Sequence, residues 1–113
     1  MELSHMKVDE NLIFTIKGHL DAASSPAAGN AINKAMREDC SRVLFNFSEL
    51  DYLSSGGLRV ILGVAKELKR NGGKLVLCSL NPFVKEIFVV SGFESLIPIE
   101  DTVESGIRQL NAN

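Results

Sequence analysis

The sequence predicts one α/β domain built on a mixed β-sheet of four to five strands, with about four helices packed mainly on one face. Three observations carry that expectation. Short apolar runs rich in β-branched and aromatic residues alternate with segments of helical periodicity. Two strand-like segments flanking a polar turn open the chain, which requires an antiparallel pair in an otherwise parallel sheet. Glycine and proline punctuate the chain at short intervals and nowhere cluster into a linker. A single core at 113 residues buries roughly two thirds of the unfolded chain's surface, so one domain is expected, placed at residues 6–110. Residues 1–5 are read as an N-terminal extension, because Ser4-His5-Met6 resembles a cloning remnant.

The opening hairpin is expected from Lys7–Asp9 and Leu12–Lys17 around the turn Glu10-Asn11. A first helix follows over Ser25–Glu38, with Pro26 at its first position after a serine cap and with Ile32 and Met36 at i,i+4 spacing. Arg42–Phe47 reads as an interior strand and Ser48–Asp51 as a turn. From Ser55 to Asn71, Leu58, Ile61, Leu62, Ala65 and Leu68 fall on one stripe of an amphipathic helix, with Val60 well outside it and Val64 near its edge. Gly72-Gly73 stops that helix. Lys74–Cys78 is a second buried strand, Pro82–Val90 a third helix ended by Ser91-Gly92, Leu96–Ile99 a weak edge strand tempered by Pro98, and Thr102–Leu110 a final helix capped by Thr102.

Composition narrows the function. The chain is 45% hydrophobic and 23% charged, which excludes disordered and fibrous classes. A net charge of −2 and a pI near 5.6 remove the attraction that DNA, RNA or an anionic bilayer would exert, so no direct nucleic-acid contact is expected. No apolar run approaches the roughly 20 residues of a membrane span and the N-terminus lacks a continuous apolar leader, so a cytoplasmic protein without membrane insertion is expected. Cys40 and Cys78 fit neither a metal-ligand spacing nor a disulfide framework, and both are expected reduced and buried. His5 and His19 stand singly, so neither a metal nor another cofactor is expected.

The functional motif is Asp51-Tyr52-Leu53-Ser54-Ser55-Gly56-Gly57-Leu58-Arg59-Val60. It resembles the strand-to-helix signature of the anti-sigma factor antagonists, the STAS domain family. The turn Gly18-His19-Leu20-Asp21, the junction Asn71-Gly72-Gly73-Lys74-Leu75 and the helix end Ser91-Gly92-Phe93 resemble the family's pattern in the same order, covering the chain from about Met6 to Leu110. The resemblance implies that Ser55 is a phosphoacceptor, that Ser54 stands where another subgroup carries Asp, and that Asp21 is the acidic residue of the neighbouring loop. It implies a partner that is both an anti-sigma factor and a serine kinase, bound by the unphosphorylated form so that a sigma factor is released. A PP2C-type phosphatase would restore that form.

Elementary chemistry agrees with a switch at this position. A phosphoserine adds about −1.5 to −2 charge, and a helix N-terminus with unpaired N–H groups tolerates it. The surface changes more than the fold: a dianion near Asp21 and Asp51 repels a partner that had packed on a small, neutral Ser-Gly-Gly patch. The expected docking surface comprises Asp21, Ser54, Gly56, Arg59 and Val60 around Ser55. The plainer alternative makes Ser54 or Ser55 a helix cap, Gly56-Gly57 a close-packing pair and Asp21 a turn residue.

Two other readings compete with this one. One is a STAS regulatory module outside sigma control, as a transporter-associated or lipid-trafficking subunit. The other is an acyl-transfer enzyme using Ser55, but the chain lacks the glycine two residues before the serine that a nucleophile elbow needs, and no sequence feature orients either histidine as a base. A phosphate-binding Gly-x-x-x-x-Gly-Lys-Ser/Thr loop is also missing. No catalytic residue is assigned, and a regulatory binding protein is expected instead of an enzyme.

Overall fold

A computed structural model describes residues 1–36 and 40–112. Its elements are β1 (Glu2–Val8), β2 (Asn11–Leu20), α1 (Ser25–Met36), β3 (Arg42–Asn46), β4 (Leu50–Leu53), α2 (Ser55–Arg70), β5 (Lys74–Cys78), α3 (Pro82–Ser91), a 3-10 turn (Phe93–Ser95), β6 (Ile99–Glu100) and α4 (Val103–Asn111). The sheet runs β1-β2-β3-β5-β6, with β4 added beside the end of β2. Only β1 is antiparallel to its neighbour, so the sheet is mixed, as expected.

Alternation along the central strands splits the core into two layers. Leu12, Phe14 and Ile16 of β2, Val43 and Phe45 of β3, and Leu75 and Leu77 of β5 face Ile32 of α1, Ile61, Val64 and Leu68 of α2, and Val84 and Phe88 of α3. The intervening Ile13, Leu44, Val76 and Cys78 face Leu110 of α4 on the other side. Three helices therefore share one face and α4 covers part of the opposite one. This is why β3 and β5 read as continuous apolar runs: strands covered on both faces have no solvent side to mark with polar residues.

Several boundaries differ from the expectation. Pairing in β1 starts at Glu2, earlier than the expected strand start at Lys7. The hairpin turn is Asp9-Glu10, one residue before the expected Glu10-Asn11; Asp9 takes the left-handed conformation (φ 55°) that a tight hairpin requires, and Asn11 is buried in β2. Ser48–Asp51 is not simply a turn, since β4 begins at Leu50 and pairs Gly18, His19 and Leu20 of β2 with Leu50, Tyr52 and Leu53. The last strand is Ile99–Glu100 instead of Leu96–Ile99: Gly92 ends α3 at φ 80°, a 3-10 turn takes up Phe93–Ser95, and Leu96 stays exposed. Pro98, which has no N–H, still serves the sheet by accepting from the Leu77 amide at 3.0 Å. The expected end of α1 at Glu38 lies outside the described residues. Cys78 is buried and Cys40 only half-buried, and both thiols are free; desolvation raises the pKa of each.

Candidate functional site

The site forms where β2 and β4, side by side and parallel, end together. The Gly18 amide donates to the Glu49 carbonyl (2.8 Å) and the Ser54 amide to the Leu20 carbonyl (3.0 Å), which closes the ladder and brings the Asp21 loop against the start of α2. Gly57 sets the final approach. A Cβ there would stand 2.5 Å from the Leu20 carbonyl oxygen and 2.7 Å from Leu53 Cδ1, so only glycine lets the first turn of α2 rest on the end of β2. Gly56 differs, because a Cβ would meet Ala22 Cα at 3.5 Å and Ser25 Oγ at 3.7 Å, ordinary contacts that leave it sterically free within the chain.

The two adjacent serines have separate roles. Ser54 is the N-cap of α2, in extended backbone, and its Oγ accepts from the Gly57 amide at 3.2 Å. Ser55 is the first helical residue, is exposed, and its hydroxyl has no hydrogen-bond partner among the described residues. The cap reading thus fits Ser54, while Ser55 presents an uncommitted nucleophilic oxygen at the surface.

Asp21 organises its own loop. Its Oδ1 accepts from the amides of Ala23 (3.1 Å) and Ser24 (3.0 Å), and lies 3.1 Å from Ser24 Oγ, which also has the His19 carbonyl within reach at 3.0 Å. Hydrogen bonds from the Ser24 amide and hydroxyl, then from Ala23, together with the nearby His19, hold the Asp21 carboxyl below its usual range. Ser25 is buried and donates its hydroxyl to the Asp21 carbonyl. The loop is therefore pinned at both ends before any partner arrives.

Arg59, one turn along α2 from Ser55, is exposed and makes no ion pair or hydrogen bond among the described residues. Val60 departs from the expected position. It is half-buried, packs against the core, and stands with both methyls 3.8 Å from where a Gly29 Cβ would be, in the cleft between α1 and α2. The buried stripe of α2 is Gly57, Ile61, Val64 and Leu68, with Leu58, Leu62 and Ala65 half-buried beside it. It is rotated from the expected stripe because the contact of Gly57 with Leu20 fixes which side of the helix meets the sheet.

Two residues at this edge escaped the sequence reading. Tyr52 is 42% exposed and its ring meets His19 edge-on at 5.7 Å, and Ser24 holds the Asp21 loop. Tyr52 is the chain's one tyrosine and lies within the motif, a signal in plain view; Ser24 gave none, because its role depends on where the loop folds. Among the described residues no group of three or more His, Cys, Asp or Glu side chains is arranged to hold a metal ion, and no helix is long and apolar enough to cross a membrane.

The chain is similar to known proteins over most of its length. The STAS domain family model matches residues 4–106. BtrV of Bordetella bronchiseptica, a candidate anti-sigma factor antagonist, is 38% identical over 93% of this chain and 90% of its own length. The anti-sigma F factor antagonist of Paenibacillus polymyxa is 30% identical over 88% and 86%. Among solved structures, a candidate anti-sigma factor antagonist from Thermotoga maritima superposes with a TM-score of 0.93 at 17% identity, covering 97% of this chain and 95% of that one. The Bacillus cell-fate determinant SpoIIAA in its phosphorylated form superposes with a TM-score of 0.76 at 22% identity, covering 97% and 100%.

Proposed function

The chain belongs to the STAS domain family, and from that premise we propose that it is an anti-sigma factor antagonist switched by phosphorylation of Ser55. In the unphosphorylated state the surface around Ser55, Gly56 and Arg59, flanked by the Asp21 loop, captures an anti-sigma factor that is also a serine kinase, and a sigma factor is freed. Within that complex the Ser55 hydroxyl attacks the γ-phosphorus of the kinase's ATP, its proton passes to a base of the kinase, and ADP leaves. A PP2C-type phosphatase hydrolyses the phosphoester and restores the binding form. The protein supplies a hydroxyl and a surface and has no catalytic part of its own. Partners of this kind place its work in the cytoplasm.

The observation that carries the reading is the difference between neighbouring serines: Ser54 Oγ is held by the Gly57 amide, whereas Ser55 is exposed and its Oγ has no hydrogen-bond partner among the described residues, beside the small Gly56. Phosphate there adds a dianion beside the Asp21 loop, which lies against the start of α2, and the added negative charge opposes a partner fitted to the unmodified surface. Incubation with ATP and the cognate kinase, followed by mass spectrometry of the motif peptide, tests it. Phosphate on Ser55 and none on Ser55→Ala is expected; undiminished incorporation into Ser55→Ala refutes the assignment.

A further inference from the structure

We propose that Arg59 is the intramolecular counter-ion of the phosphate on Ser55, so that phosphorylation withdraws this guanidinium from the partner-facing surface besides adding negative charge to it. The inference rests on Ser55 being the acceptor and says how the modified state is held.

Ser55 and Arg59 are i and i+4 on α2, and both are exposed. That spacing sets their Cβ atoms about 5–6 Å apart on one helical face. Helical Cα–Cβ bonds tilt toward the N-terminus, so the arginine side chain leans back over the first turn, where the hydroxyl stands. Nothing along the helix competes for it: the positions three and four residues away are Gly56, Ser55, Leu62 and Gly63, none a carboxylate.

The charge balance of the surroundings points the same way. Residues 19–26 and 51–59, which form this edge, contain the carboxylates Asp21 and Asp51 and the imidazole His19, but only one lysine or arginine, Arg59. Asp21 commits Oδ1 to its own loop, and His19 meets the Tyr52 ring edge-on. A dianion added at Ser55 thus has one permanent cation within a helical turn. A guanidinium offers two parallel N–H donors to phosphate oxygens, a geometry that lysine cannot reproduce. The same side chain cannot pair with the phosphate and with an acidic group of the partner at once, so one modification removes a contact and adds a repulsion.

The test uses full-length protein carrying phosphoserine introduced at position 55 during synthesis, so that no kinase is needed. The second ionisation of the phosphate, near pH 6 in a free phosphoserine, is followed by phosphorus NMR across pH in the parent, in Arg59→Gln and in Arg59→Lys. Arg59→Gln is expected to raise that pKa by about half a pH unit at low ionic strength. Arg59→Lys should raise it by less, and 1 M salt should erase most of the difference, because the Debye length then falls to about 3 Å. Superimposable titrations of the parent and Arg59→Gln overturn the proposal. Failure of the acceptor assignment is separate: it shows as missing kinase labelling of Ser55 and leaves this titration unchanged.

Discussion

Gly57 of α2 and Leu20 of β2 are in such close contact that a methyl group on the glycine would lie 2.5 Å from the leucine carbonyl oxygen. The first turn of the helix is thereby seated on the end of the strand, and the position of Ser55 relative to the Asp21 loop follows from that seat.

Gly57→Ala should force the helix off the strand and cost about 1–3 kcal/mol, the usual range for overpacking. Gly56→Ala, facing only ordinary contacts, should leave stability within about 1 kcal/mol and act instead on partner affinity. Urea unfolding of the two variants, with titration calorimetry against the partner, separates these outcomes.

The two serines should separate in the same way. Ser54→Ala loses the cap on the Gly57 amide and should lower stability by about 1 kcal/mol while remaining a kinase substrate. Ser55→Ala removes a hydroxyl with no partner among the described residues, so its unfolding free energy should stay within about 0.5 kcal/mol while phosphate incorporation is abolished. The reverse pattern would exchange the roles of the two residues.

Asp21 should make its loop sensitive to acid. Hydrogen bonds from Ser24 and Ala23 stabilise the ionised carboxylate, so its folded pKa lies below the ordinary 3.8. Its stabilisation is then complete above the unfolded value and is lost as pH falls through the lowered folded one. Asp21→Asn keeps an acceptor oxygen but no titrating charge. Its stability should therefore fall less steeply than the parent's between about pH 5 and pH 2, as measured by thermal unfolding at each pH. Equal slopes would remove Asp21 from the acid response.

Val60→Glu should destabilise the domain by about 1–3 kcal/mol, because the carboxylate would enter the cleft between α1 and α2 opposite Gly29. On the exposed face that the sequence suggested for Val60, the same substitution would leave the melting temperature nearly unchanged and reduce only binding. Differential scanning calorimetry of the purified variant decides between the two placements.

Much of this protein was legible in its sequence because the governing interactions span only a few residues. Thr102 caps α4 and Ser54 caps α2 through amides three residues on, Gly72-Gly73 ends α2, and the apolar runs of β3 and β5 report burial on both faces. The motif was likewise found from contiguous residues. Tertiary structure decided the rest. Leu50–Leu53 is too short and too weakly patterned to announce a strand, and it becomes one only because β2 supplies hydrogen-bond partners from more than thirty residues away. Periodicity set the buried side of α2 on Leu58, Ile61, Leu62, Ala65 and Leu68, of which the fold buries Ile61 and Leu68 but adds Gly57 and Val64 in place of the others. Glycine carries no hydrophobic signal, so periodicity ignored the residue whose missing side chain set the helix against Leu20, turned Val60 inward and left Ser55 facing solvent.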